Sequence, residues 1–312
     1  MTSVLSNKWQ SSDLRLSPAR RRADSRMKWV FTAAGLTTLM ITVLIIYTLF
    51  KDAWSFFIHV PKADLWTIGW FPRRGMYDIK TLFVGTLMVT GVAMLIAVPL
   101  GLGVAVYLAE FARPKVRKFL KPIIEVLAGI PSVVIGYFAI SFINPNIVTW
   151  LVGGANKAFN IASAGAAVGI LTIPIIASVT EDALRAVPMS LREASFGLGA
   201  RRVPTTFRVV LPASISGVVA ALILGVSRAI GETMVVAIAA GAVGGGLFST
   251  DLFQPGQTMT AAMAALGFGS DQVAGDGLAF QSLFFIGFLL FMMTLVLNVL
   301  GDRLVRKVRE EY

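Results

Sequence analysis

Apolar residues run along this chain in blocks, each separated by a shorter polar stretch, and six blocks approach or exceed the ~20 residues that a helix needs to cross a bilayer core. They lie near Trp29–Phe50, Thr81–Leu108, Phe119–Ile143, Ile161–Val179, Val209–Ala240 and Phe280–Leu300. Runs of this length are too long for strands and predict an all-α membrane protein of about six transmembrane helices. Pro99, Pro131 and Pro174 fall inside blocks, where kinks are expected and neighbouring helices can satisfy the freed carbonyls. Gly165 and Gly169 form a small-xxx-small pair that predicts close packing of the fourth helix. The stretch 241–279 is rich in glycine and carries Asp251, Asp271 and Asp276; within it, Gln257–Leu266 reads as a short helix on or dipping into the outer face. No repeat of fixed period is evident.

Composition agrees with the pattern. Of 312 residues, 56% are hydrophobic and 14% charged, against about a quarter charged in soluble domains. The mean hydropathy is +0.75. The expected organisation is a basic tail over 1–26, a first membrane helix and long external loop over 27–80, a core over 81–305 with a loop at 181–208, and a tail over 306–312. There is no cysteine, and His59 is the only histidine, which removes thiol chemistry and leaves no cluster for a metal. No cofactor is expected.

The formal charge of +11 first suggests nucleic acid, but the basic residues stand in blocks between the apolar runs. Taking alternate loops together, 21 of the 28 Lys and Arg fall on one side of the predicted helices and 6 on the other. Basic loops stay inside, so both termini are expected in the cytoplasm, and membrane lipid rather than nucleic acid is the expected partner of this surface. Trp54, Trp66, Trp70 and Trp150 then lie outside, as interfacial anchors. The first apolar block has no small-x-small cleavage pattern and reads as a retained helix rather than a signal peptide.

The loop between the fourth and fifth blocks carries a more specific signal. Ser190 followed three residues later by Glu193 predicts a capping box, Gly199 a left-handed helix end, and Pro204 a break. Glu193-Ala194-Ser195, Gly199, Val209 and Leu211-Pro212 keep every spacing of the Glu-Ala-Ala signature of ABC importer permeases, with Ser for the third Ala and Val for Ile. The chain resembles that binding-protein-dependent transport permease family, of type I fold. The resemblance implies that the loop is a coupling helix docking on an ATPase subunit, with Glu193, Ala194, Gly199, Leu211 and Pro212 as its landmarks. The chain has no Gly-x4-Gly-Lys-Ser/Thr loop, so it is not expected to be an enzyme and ATP is expected to act through a partner.

Three charged residues stand out within the blocks: Glu125, Arg228 and Glu232. A charge in hydrocarbon costs on the order of 3 kcal/mol at least, so each marks a buried partner or a substrate pathway. Arg228-Ala-Ile-Gly231-Glu232-Thr-Met234 is similar to the fifth-span motif of phosphate importer permeases, and the segments Gly85–Gly103 and Glu125–Gly136 agree with it. Met234 and the long first external loop resemble the PstC-type subunit. Ile135 departs from the pattern, which often has Tyr there. The resemblance implies phosphate import with a homologous PstA-type permease, a dimer of PstB-type ATP-binding subunits and an external PstS-type phosphate-binding protein, and it places the three charges beside the substrate pathway. The alternatives are a permease for sulfate or molybdate and a secondary transporter driven by an ion gradient; the coupling loop and the scarcity of intramembrane carboxylates oppose the latter.

Overall fold

The computed structural model describes residues 18–153, 157–241, 246–268 and 277–308. Among the described residues five helices are long and apolar enough to cross a membrane, and a bent pair supplies a sixth crossing. The first 17 residues of the basic tail, Asp271 and Asp276, and the last four residues lie outside the description.

The chain divides into two units, Met1–Lys51 and Asp52–Tyr312. The first consists, where described, of most of helix α1, Pro18–His59. It starts eleven residues before the first apolar block, so part of the expected tail is helical. Its central turns are apolar all round, as suits a helix solvated by lipid or by other spans. Thr37, Thr38 and Thr42 return their hydroxyl protons to carbonyls four residues back, so the helix exposes few free polar groups.

The second unit opens with the end of α1 and a short ribbon, β1 Trp70–Phe71 against β2 Met76–Tyr77. The block pattern missed this ribbon because two-residue strands have no detectable period. Trp70 is a core residue, 1% exposed, and stacks edge-on against Tyr77, which corrects its assignment to the membrane interface. Trp54, Trp66 and Trp150 are exposed. His59 donates from Nδ1 to the Ser55 carbonyl, within its own helix.

Helix α2 spans Ile79–Phe111, and α3 spans Pro114–Ala128. Next come α4, Ser132–Val152, and α5, Ile161–Ala186. The third crossing therefore starts at Ser132 rather than near Phe119. Gly129-Ile130-Pro131 separates it from α3, because Pro131 lacks an amide and disfavours helical geometry at Ile130. α3 buries no residue in this chain, and its apolar and basic positions segregate to opposite faces.

Helix α6, Met189–Gly197, lies between α5 and the bent pair α7, Arg202–Ala213, and α8, Ile215–Ile230, which meet at 72°. The fifth apolar block is thus not one helix. It bends at Ser214, stops at Ile230 and resumes as α9, Met234–Ala239. α10, Met259–Phe268, agrees with the short helix expected near Gln257–Leu266, although its first residues are buried against α2 rather than lying on a surface. α11, Leu278–Val308, closes the unit.

The core forms where small residues let backbones approach. A Cβ on Gly165 would lie 2.6 Å from Val92 Cβ, and one on Gly169 would lie 2.9 Å from the Ala93 carbonyl, so α2 and α5 pack as the small-xxx-small pair predicted. Around this seam Val89, Ala93, Ile135, Ala139, Ala164, Val168, Val235 and Val236 form one apolar cluster from α2, α4, α5 and α9. A second cluster, Ala105, Leu184, Val187 and Val210, joins the other ends of α2 and α5 to α7.

Candidate functional site

Two sites emerge, one at the break between α8 and α9 and one around α6. At the break, Arg228 occupies the last turn of α8, where a cation favours the negative end of the helix dipole. Its Nη1 lies 3.0 Å from Glu232 Oε2. The two residues fall within one apolar block, yet the helix ends between them. Glu232 lies just before α9, where an anion favours the positive end, and its Oε1 accepts weakly from the Val235 amide at 3.4 Å.

Interrupting a span frees backbone groups that hydrocarbon cannot solvate. Here they are met from within the chain. The Glu232 amide donates to the Ala229 carbonyl at 3.3 Å, and the Thr260 hydroxyl of α10 donates to the Glu232 carbonyl at 2.8 Å. The Met259 amide donates to Thr86 Oγ1 of α2, which fixes α10 beside the break. The carboxylate is therefore rigidly placed. Its side chain is 5% exposed while that of Arg228 is 46% exposed, so the guanidinium is anchored on a buried carboxylate while about half of its side chain stays accessible. An arginine has five N–H donors in a planar fork, and those left over can grip an anion with two oxygens.

Glu125 does not join this pair. It is exposed on α3, before the start of α4, and forms no ion pair with Arg228 among the described residues.

Around α6, Glu193 and Ala194 are exposed, as are the apolar side chains of Met189, Phe196 and Leu198. Together they make an unpartnered face with one charge. Pro188 takes the N-cap position and no side-chain cap bond forms, so the Ser190–Glu193 capping box is not realised. The C-terminal reading holds: Gly199 has φ of +81°, its amide donates to the Phe196 carbonyl, and the Ala200 amide donates to the Ser195 carbonyl. This doubly bonded left-handed end is the Schellman arrangement. Pro204 does not break the chain, because it lies in the first turn of α7 where its amide would be unsatisfied anyway. Leu211 and Pro212 stand apart from α6. Leu211 packs on the cluster of Leu184 and Val210, and Pro212 precedes the bend at Ser214.

Sequence reasoning missed the buried charges that tie this end together. Glu181 of α5 has a side chain only 1% exposed and is paired with Arg117 Nε at 2.8 Å and Lys121 Nζ at 3.3 Å, both from α3. Lys121 also reaches Asp182 at 3.1 Å. Arg192 of α6 contacts Glu110 at the end of α2. The available signal was the spacing of Arg117 and Lys121, one helical turn apart, with two adjacent carboxylates at the end of an apolar run. Among the described residues no group of His, Asp or Glu could hold a metal.

The chain is 29% identical to the phosphate transport system permease protein PstC of Pasteurella multocida, over 89% of this chain and 90% of that one. It is 31% identical to the PstC protein of Xylella fastidiosa, over 100% of this chain and 99% of that one. In fold it is similar to a chain of a bacterial ABC transporter involved in the import of the acidic polysaccharide alginate, with a TM-score of 0.62 at 14% identity, covering 93% of this chain and 100% of that one. The profile described as the binding-protein-dependent transport system inner membrane component matches residues 97–310, and the chain belongs to that family.

Proposed function

We propose that this chain is a permease subunit of an ATP-driven importer that carries inorganic phosphate across the cytoplasmic membrane. The observation that carries the reading is the interrupted fifth span, with a half-open arginine held by a buried glutamate at its break. Near-full-length similarity to proteins named as phosphate permeases supports phosphate over sulfate or molybdate.

In this reading Arg228 attracts the anion beside the pathway. Phosphate at neutral pH carries more charge than one guanidinium neutralises, and an isolated cation in a low-dielectric setting would retain it. Glu232 tempers that attraction while fixing the fork. Glu125, exposed on α3, stands apart from that pair and would meet the anion elsewhere along the pathway.

In this reading the basic loops, and with them both termini and α6, lie in the cytoplasm. There α6 docks on an ATPase subunit through Glu193, Ala194 and its exposed apolar side chains, with the Gly199 turn presenting that face. Leu211 and Pro212 act indirectly, by seating α7 and its bend. One such chain provides half of a pathway and one docking helix, so it pairs with a homologous permease, two ATP-binding subunits and an external phosphate-binding protein.

The test is uptake of labelled phosphate into proteoliposomes containing the assembled transporter, with sulfate and molybdate as competitors. ATP-dependent uptake insensitive to excess sulfate is expected, and Arg228→Gln should lower it about tenfold or more with assembly intact, the scale of one lost charge-assisted contact. Normal uptake by an assembled Arg228→Gln transporter would remove Arg228 from the pathway, and transport without any ATPase subunit would refute the class.

A further inference from the structure

Arg192 stands beside the signature glutamate but points the other way, into the bundle. Its Nη2 donates to Glu110 Oε1 at 2.9 Å and to the Leu184 carbonyl at 2.8 Å, and its Nη1 donates to the Val187 carbonyl at 2.6 Å. Both charged side chains are largely buried, 12% exposed for Arg192 and 11% for Glu110. One guanidinium thus binds the end of α2, the end of α5 and the turn leading into α6. Three residues later Ser195, also buried, shares a hydrogen bond of 2.9 Å with Thr205 of α7.

We infer that Arg192 is the positioning residue that makes α6 move as one body with α2 and α5, and so transmits displacement of the docking face to the spans. This deepens the proposed function and rests on its assignment of α6 as the docking element. A helix of nine residues is too short to hold itself in water, so its stiffness comes from its attachments. Apolar contact alone lets a short helix slide, whereas a fork bonded to three fixed acceptors defines direction as well as distance. The Leu184 carbonyl lies in the last turn of α5 and Val187 caps that helix, where a cation also favours the helix dipole. Displacing α6 without moving α2 and α5 would strand Glu110 in a largely buried place, which is costly.

The test uses the complete transporter, with its ATPase subunits, in proteoliposomes and compares Arg192→Gln, Glu110→Gln and the exchanged pair Arg192→Glu with Glu110→Arg. Phosphate accumulated per ATP hydrolysed should fall about tenfold in each single variant, while ATP hydrolysis itself continues, and should recover in part in the exchanged pair. A second readout is independent of transport. Because the chain has no cysteine, spin labels can be placed at Leu198→Cys and Ala112→Cys. Their distance distribution should be narrow with Arg192 present and broadened in Arg192→Gln.

Should Arg192→Gln fail to assemble, Arg192→Lys takes its place: it keeps the charge but cannot span three acceptors, and it too should broaden the distribution. Unchanged phosphate per ATP together with an unchanged distance distribution would overturn the inference. So would loss of assembly in every variant with a narrow distribution in Arg192→Lys, which would leave a purely structural tie. If instead the unaltered transporter hydrolyses ATP but imports no phosphate, the proposed substrate fails while the distance measurement still decides the role of Arg192.

Discussion

Glu181 is a deeply buried carboxylate with two charged partners, and its removal is informative. Its two oxygens face Arg117 and Lys121, each about one-quarter exposed, so the anion is far more desolvated than the cations. Breaking a buried pair costs roughly 3–5 kcal/mol, and the partial exposure of the cations lowers that here to about 2 kcal/mol for Glu181→Ala. The purified protein should accordingly melt several degrees lower, whereas a melting temperature equal to that of the unaltered chain would show the pair to be idle. Burial opposes the charge on Lys121, but the carboxylates of Asp182 and Glu181 outweigh it and push its amine above the ordinary value. A folded-state value above the unfolded one gives stabilisation that is complete below about 10.4 and is lost only as pH rises through the folded value. The difference between Glu181→Ala and the unaltered chain should therefore be constant across neutral pH.

Arg228, Glu232 and Gly199 were legible in the sequence because a charge inside an apolar run, or a glycine at a helix end, has few alternatives. Glu181, Arg192 and Glu110 were not, since they flank apolar runs where charges are ordinary and only the fold brings them together.

At the scale of elements, the block pattern located the first, second, fourth and sixth crossings because each is apolar without interruption. It misplaced the third and fused the fifth for a single reason. Hydropathy averages over a window, and it cannot distinguish a span from an amphipathic helix whose apolar stripe adjoins one. α3 carries Val116, Phe119, Ile123 and Val126 on one side and Arg117 and Lys121 on another, a helical spacing, and the break at Gly129–Pro131 is only three residues long. In the fifth block only Ser227 and Thr233 add to the polarity of the pair around Gly231, too little for the average to mark the stop. The turn after α6 was readable because it depends on one backbone conformation. Gly199 has open space around a Cβ added there, so a larger side chain meets strain rather than a clash. Gly199→Val should cost about 1–2 kcal/mol locally, from the left-handed conformation alone. Such a variant should insert and assemble, while its ATPase subunits bind less tightly in a pull-down titration; unchanged affinity would separate the turn from docking.

For the whole molecule, the distribution of charge makes a geometric claim that can be checked without transport. A membrane protein retains its basic loops on the side where it is made, and the ratio of 21 to 6 basic residues is a strong bias. The proposed docking of α6 on an ATPase subunit requires α6 to lie on that same side. The absence of cysteine allows single substitutions at exposed positions on a chain without background labelling. Trp66 is 64% exposed, Trp150 78% and Leu198 89%, so each can be replaced by Cys without disturbing a core. With a maleimide that does not cross membranes, Trp66→Cys and Trp150→Cys should label in intact cells, and Leu198→Cys only after permeabilisation. Labelling of Leu198→Cys in intact cells would put α6 outside, where no ATPase subunit could reach it. The importer reading would then fail as a whole, whatever the local geometry of Arg228 and Glu232.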